Sequence, residues 1–325
     1  MTSLQTGIVI GNPGNEYTVR SEGKDYPCRL KGRFKIKGIR TTNPIAIGDR
    51  VRFSIPEGYG ESSSGKADLC CFITEILPRK NYIIRRSINL SKEAHIIGAN
   101  LDRALLIVTI NYPETPLTFI DRFLATAEAY GVEAALVFNK IDLYSDEEQQ
   151  MLGQLCKMYE EIGYRCFSVS AIENEGMETL RQYVSRGVTL LSGQSGVGKS
   201  SIINALVPTA SLRTASISST HLAGVHTTTY STMIDLPDEP DSFLIDTPGI
   251  KGFGTLDFDP KEVGHFFPEI FQVSKSCRFS NCTHTHEPGC AVNVAVEEGH
   301  ISESRFRSYL SILEDKDEAK YREAY

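Results

Sequence analysis

Gly193-Gln-Ser-Gly-Val-Gly-Lys-Ser200 constrains this chain more than any other stretch. It satisfies G-x-x-x-x-G-K-[ST], a loop that works only between a buried strand and the start of a helix. Both neighbours are present: Val188–Leu191 reads as a buried strand and Ser200–Leu206 as a helix. Glycines let the backbone curl so that its N–H groups point inward at phosphate oxygens, and the helix N-terminus adds its positive dipole end. Lys199 is placed to reach the outer phosphates of a nucleotide and Ser200 to ligate Mg²⁺. The candidate phosphate-binding residues are Gly193, Gln194, Ser195, Gly196, Val197, Gly198, Lys199, Ser200 and Ser201.

The flanking texture agrees. Ala104–Val108, Ala134–Phe138, Arg165–Val169 and Ser242–Ile245 read as buried strands. They alternate with helical patterns at Ile120–Tyr130 (amphipathic), Gln149–Ile162 and Met177–Val184, which predicts a doubly wound parallel sheet. Two strand ends choose the base. Asn139-Lys140-Ile141-Asp142 follows Ala134–Phe138, and the Asp142 carboxylate can accept the N1–H and 2-amino hydrogens of guanine, which adenine does not offer. Ser170-Ala171 follows Arg165–Val169 and can bring a backbone N–H to guanine O6. Asp246-Thr-Pro-Gly249 follows Phe243–Ile245, with Asp246 expected on Mg²⁺ through water and the Gly249 amide at the γ-phosphate. Ras-like GTPases run from phosphate loop to switch threonine, DxxG, NKxD and SA. Here NKxD and SA precede the phosphate loop, so the domain reads as circularly permuted.

Between the phosphate loop and Asp246, residues Thr209–Thr232 are dense in Ser and Thr, with His221 and His226 among them. Such a stretch buries little surface and is expected to be ordered by nucleotide. Thr227 and Thr228 are equal candidates to complete the Mg²⁺ shell. The residue after DTPG is Ile250, which cannot orient an attacking water as the Gln of Ras-like enzymes does. Slow intrinsic hydrolysis is expected, with His226 the candidate catalytic group brought in by a partner.

Composition matters most in the first quarter. Residues 1–86 hold 15 Lys and Arg against 8 Asp and Glu, whereas the whole chain carries a net charge of −7. The remainder therefore stands at −14. Thr6–Ile10, Tyr17–Arg20, Val51–Ile55 and Cys71–Leu77 have strand character between turn signals, which suggests a small barrel or sandwich. In Arg29–Lys37 every odd position is cationic. At strand period Arg29, Lys31, Arg33, Lys35 and Lys37 share one face and Leu30, Phe34 and Ile36 the other. Such a stripe suits an RNA phosphate backbone. Gly60–Gly65, GESSSG, is expected to be a loop. No apolar run reaches the roughly 18 residues of a membrane span, and no basic-then-apolar leader is visible at the start.

Four of the metal-ligand residue types cluster near the other end: Cys277, Cys282, His284 and Cys290, with His286 close by. Three thiolates and one imidazole make a closed structural Zn²⁺ site. A module of this size is expected to have little core of its own, so that metal supplies folding free energy. The charged tail, Ser302–Tyr325, reads as a solvated helix.

Taken together, these motifs resemble the RsgA family, also called YjeQ or YloQ, bacterial circularly permuted GTPases dependent on the small ribosomal subunit. The resemblance rests on the basic barrel, the order NKID, SA, GQSGVGKSS, HTTT, DTPG, and the Cys/His module. It implies an OB-fold over 1–86, a permuted GTPase domain over 87–260 and a zinc domain over 261–325. The family spacing selects His284 over His286. It also implies a cytoplasmic, monomeric factor that binds GTP and GDP, the 30S subunit and 16S rRNA, acts late in subunit maturation, and hydrolyses GTP when the subunit stimulates it. The alternative is an RNA-binding module clamped by nucleotide, in which hydrolysis is incidental.

Overall fold

The structure, a computed structural model, describes residues 3–12, 16–30, 44–57, 59, 70–86, 94–212, 231–237, 239, 242–247, 258–259 and 261–314. Lys31, Arg33, Lys35, Lys37, the Gly60–Gly65 stretch, His221, His226, Thr227, Thr228, Gly249 and Ile250 lie outside the described residues.

Alternating side chains build the first domain. β4 (Arg50–Ile55) turns Val51 and Phe53 inward and Arg50 and Arg52 outward. β1 (Ser3–Gly11), β2 (Tyr17–Ser21), β3 (Lys24–Leu30) and β5 (Cys71–Ile76) do likewise around Val9, Val19, Cys28 and Ile73. β1 pairs with β2 and β4, β2 with β3, and β4 with β5, all antiparallel, while β3 and β5 pair in parallel. The ring closes as a five-stranded OB-type barrel. A ribbon of β6 (Tyr82–Arg86) and β7 (Ala94–Ala99), which carries no signal strong enough to be read from sequence, leads to the second domain.

That domain is the expected doubly wound sheet. β8 (Arg103–Val108), β9 (Glu133–Asn139), β10 (Arg165–Val169), β11 (Gly187–Gly193) and β13 (Ser242–Asp246) run parallel in the order β10-β9-β8-β11-β13. β12 (Thr232–Asp235) adds antiparallel to β13. Alternate strand residues feed two cores. Leu106 and Val108 pack under α1 (Leu117–Ala129) and α2 (Asp146–Ile162). Leu105 and Ile107 pack under α3 (Met177–Val184) and α4 (Lys199–Leu206). The chain runs from β8 outward to β10, then crosses back to β11 on the other side of β8. The carboxyl ends of β8 and β11 therefore flank the switch point where such sheets bind ligands.

The barrel is joined to this sheet. β1 meets the outer edge of β12 at Gly11 and Thr232, making one sheet of 11 strands, and Arg20 bonds Asp235 at 2.6 Å across the seam. Beneath it, Arg79 and Asp49 form a buried ion pair at 2.6 Å. Gly48 lies against the carbonyl of Ala99 with φ +88°. A side chain there would meet that oxygen at 2.1 Å, so only glycine fits.

The C-terminal part corrects two expectations. α5 (Pro268–Ser274), α6 (Ala291–Glu297) and α7 (Glu303–Glu314) share an apolar cluster with Ala125 of α1, so this module has a core, partly borrowed from its neighbour. α7 is packed, not solvated: Arg305, Ser308, Tyr309 and Ile312 are buried. The same contact explains α1, whose residues Phe119–Ala127 are all buried. On its polar side Asp121 and Arg122 are buried. They bond α7 through Arg305 and Ser311.

Candidate nucleotide site and metal centre

β11 is buried almost throughout and ends at Gly193, where the chain loops to the N-terminus of α4. Val197 inside the loop is fully buried with Ile202 and Ile203, which fixes the first turn of α4 against the sheet. Gly198 sits at φ +92°, and a Cβ there would lie 2.2 Å from the Asn139 amide. That glycine is required both by its backbone angle and by the close approach of the NKID segment.

Asn139 joins three segments of distant sequence. Its Nδ2 donates to the carbonyl of Val197 at 2.9 Å, and its Oδ1 accepts the N–H of Ala171 at 3.2 Å. One buried side chain thus holds the phosphate loop, the NKID turn and the SA turn together. Lys140, at φ +66°, donates to the carbonyls of Gly196 and Tyr112. Burial lowers its ammonium from the usual lysine value, with Asp142 opposing. Ile141 and Asp142 lie in a short 3₁₀ turn, with Asp142 exposed. The Ser170 hydroxyl is occupied within its own turn, accepting the N–H of Glu173 at 3.1 Å. Gln194, Ser195, Gly196 and Ser200 lie along the loop and first turn, at the same end of the sheet, and Ser201 follows Ser200 in α4.

Asp246, at the end of β13, is paired with Leu191 across the sheet and bonds Lys199 Nζ at 2.6 Å. Thr247 pins the chain beyond it, donating to the carbonyl of Leu191 at 2.9 Å. Asp246 Oδ2 is buried and takes no hydrogen bond among the described residues. An open carboxylate oxygen and the Ser200 hydroxyl are hard oxygen donors of the kind Mg²⁺ takes, so the residues present fit that ion.

The second centre lies between α5 and α6. Cys277, Cys282, His284 and Cys290 bring their ligand atoms within 4.8 Å of one another. Cys277 and Cys282 lie 3.9 and 3.7 Å from the Cys290 sulfur, and His284 Nδ1 lies 3.7 Å from Cys277 and 3.3 Å from Cys290. Bonds of about 2.3 Å to sulfur and 2.0 Å to nitrogen place tetrahedral neighbours at about 3.5–3.8 Å, so the set fits Zn²⁺. Desolvation lowers the pKa of buried His284 against the pull of Glu287, which keeps the imidazole neutral for ligation. His286 is exposed and turned away into the loop. Glu287 holds the loop by accepting from Thr283, Thr285 and His286. Desolvation pushes its carboxyl up, but the Thr283 donors and the His286 N–H outweigh that and bring it to about 2.

Of the stripe, Arg29 alone is described. It is exposed and bonded to Glu16 at 2.5 Å. Sequence reasoning missed Tyr112, Tyr144 and Thr247, which brace the nucleotide turns through backbone carbonyls and amides. No residue pattern announces such contacts.

The sequence profile of the RsgA GTPase family matches residues 76–256, and that of the RsgA N-terminal domain matches residues 6–60. The small ribosomal subunit biogenesis GTPase RsgA of Bacteroides fragilis is 55% identical over 320 residues, covering 98% of this chain and 99% of that one. Its counterpart in Porphyromonas gingivalis is 56% identical over 321 residues, with the same coverage. Among solved structures, YjeQ from Thermotoga maritima superposes with TM-score 0.74 at 32% identity, over 96% of this chain and 98% of that one. YloQ, described as a circularly permuted GTPase, gives 0.68 at 27%, over 96% and 94%. With the barrel, the permuted sheet and the Cys₃His cluster in the same order along the chain, this protein belongs to the RsgA family of circularly permuted GTPases.

Proposed function

We propose that this GTPase acts in late maturation of the small ribosomal subunit, binding the 30S particle and its 16S rRNA and hydrolysing GTP when the subunit stimulates it. The relatives named above are called small ribosomal subunit biogenesis GTPases, and likeness over nearly the full length of both chains supports carrying that role here. For the chemistry, the observation that carries the reading is Asn139, which ties the phosphate loop, the NKID turn and the SA turn into one pocket.

In that pocket Asp142 reads guanine N1–H and the 2-amino group, and Ala171 shares its N–H between Asn139 and guanine O6. The loop amides from Gly193 to Ser201 cradle phosphate, and Lys199 leaves Asp246 for the outer phosphates. Mg²⁺, when bound with GTP, would supply neutralisation of phosphate charge. Ser200, Asp246 through water, and one of Thr227 and Thr228 would hold it. The Gly249 amide senses the γ-phosphate, and His226 is the group proposed to be brought toward the attacking water by rRNA contact. Zn²⁺ on Cys277, Cys282, His284 and Cys290 is structural, since four protein ligands leave no open position. The barrel's basic stripe faces rRNA. The three domains are taken as 1–86, 87–260 and 261–325, in a cytoplasmic monomer.

GTP turnover measured with and without purified 30S and 50S subunits tests the reading. Stimulation by 30S is expected. Stimulation by 50S alone overturns the partner, and turnover that stays slow at saturating 30S favours a nucleotide-clamped RNA-binding module instead.

A further inference from the structure

Tyr144 stands two residues beyond Asp142, directly after the 3₁₀ turn Ile141–Leu143. Its hydroxyl accepts the N–H of Ile110, just past β8, at 2.8 Å, and donates to the carbonyl of Asn139, the last residue of β9, at 2.7 Å. We propose that Tyr144 is a positioning residue for guanine recognition, holding the Asn139 carbonyl so that the chain turns at Lys140 and presents Asp142 to the base. This inference rests on the reading of the site as a GTP site.

The backbone shows why a brace is needed. Lys140 occupies the left-handed region at φ +66°, which a long side chain adopts only where its surroundings over-determine it. Three contacts do so. The Lys140 ammonium bonds the carbonyl of Gly196 at 2.7 Å, Gln149 Nε2 donates to the carbonyl of Ile141 at 2.9 Å, and Tyr144 holds the carbonyl of Asn139. The Tyr144 bond ties the carbonyl at the entry of the turn to Ile110, just past β8, and the Lys140 ammonium also reaches the carbonyl of Tyr112 on the same connection. Asn139 is otherwise held by its side chain, on Val197 and Ala171, and by strand pairing with Val169 of β10. With the carbonyl fixed as well, the peptide leading into Lys140 cannot rotate, and the NKID turn keeps one orientation relative to the phosphate loop. The Tyr144 ring packs against the core shared by β8 and β9, so the hydroxyl is itself well placed. Burial raises its pKa to about 12 against the pull of the Ile110 N–H, which keeps it a proton donor at neutral pH.

Tyr144→Phe keeps the ring and removes the donor. Asp142 reads two guanine hydrogens, and inosine nucleotides lack the 2-amino one. The test therefore compares Kd for GDP and IDP, and KM and kcat for GTP, in the full-length wild-type and variant chains. GDP affinity is expected to fall about tenfold and IDP affinity less than about threefold, so that selectivity for the 2-amino group shrinks. KM for GTP should rise with kcat held within about twofold, because uniform binding is lost and no transition-state contact is touched. An unchanged GDP-to-IDP ratio overturns the proposal, whether both affinities fall equally, the melting temperature drops, or nothing changes. Wild-type chain that fails to prefer GDP over ADP overturns the GTP reading itself, which separates the two failures.

Discussion

Lys199 and Asp246 each hold what a nucleotide would otherwise take. Their contact is 2.6 Å, with side chains 9% and 1% exposed. Two charges so far from water are tolerable only because each neutralises the other. In the proposed function, GTP and its cation would exchange this one pair for two, Lys199 with phosphate and Asp246 with the hydrated ion. The exchange predicts a stability signature without nucleotide. Asp246→Asn leaves the Lys199 ammonium buried without its counter-charge and should cost about 3–5 kcal/mol. Adding Lys199→Met removes the stranded charge and should recover part of that loss. Denaturant melts of the nucleotide-free single and double variants check it, and costs that simply add would show the pair to be uncoupled. The members of this pair were legible in sequence, because a phosphate loop needs fixed residue types at consecutive positions. Their partnership was not, since it joins residues 47 apart, as Asn139 and Val197 are joined across 58. Contacts of that range depend on strand order, which no local pattern encodes.

At the scale of elements, α1 and α7 explain how the metal module is carried. Arg305 of α7 is fully buried. It bonds Asp121 of α1 at 2.8 Å and Glu269 of α5 at 2.7 Å, with its guanidinium 4.6 Å from the centre of the Phe267 ring. Tyr159 of α2 donates to the same Asp121 oxygen at 2.9 Å. The sequence pattern read Ile120–Tyr130 as an amphipathic helix and Ser302–Tyr325 as a solvated one. An amphipathic pattern shows that a face is polar but not that a buried arginine will cover it. Arg305→Met should destabilise the chain by about 3–5 kcal/mol, because two carboxylates stay behind without their cation. The deficit should also depend on pH. Desolvation already raises the Asp121 pKa, with Arg305 the largest opposing influence. Without Arg305 only the Ser308 and Tyr159 hydroxyls oppose that upward push. A carboxyl raised in the folded state favours folding at pH values below the ordinary carboxylate range, and that contribution is lost as pH rises through the raised value. The variant should therefore lose least near about pH 4 and progressively more toward about pH 8, relative to wild type at each pH. Melts across that range check it, and a deficit independent of pH would place the loss in packing alone.

At the scale of the molecule, one sheet of 11 strands joins the GTPase, from β10, to the barrel. β12 pairs with β13, which ends at Asp246, and β12 is also where the barrel attaches. A ligand on the barrel is therefore joined to the nucleotide site through paired backbone. The permutation was legible because its motifs are short and ordered. The seam was not, because β12 is only four residues long and its pairing partner lies at the other end of the chain. Charge divides along the chain, with a +7 excess over residues 1–86 and −14 on the rest. Within the barrel the seam uses β1 and β2, while the stripe begins on β3, past Asp25 and Cys28. Neutralising Arg29, Lys31, Arg33, Lys35 and Lys37 to Gln should therefore remove RNA phosphate contacts without disturbing Gly11 or Arg20 at the seam. Each lost contact takes about 0.7–0.9 from the slope of log K against log salt, so the full set should flatten subunit binding by up to about 4. Arg29 should contribute least, since it must first give up Glu16. GTP affinity should stay within about twofold of wild type, because no residue of the seam or of the nucleotide turns is substituted. Salt titrations of 30S binding and of GTP binding, run on the same variant, check both halves. A GTP affinity that falls in step with subunit binding would mean that the stripe acts through the seam and not on RNA phosphate.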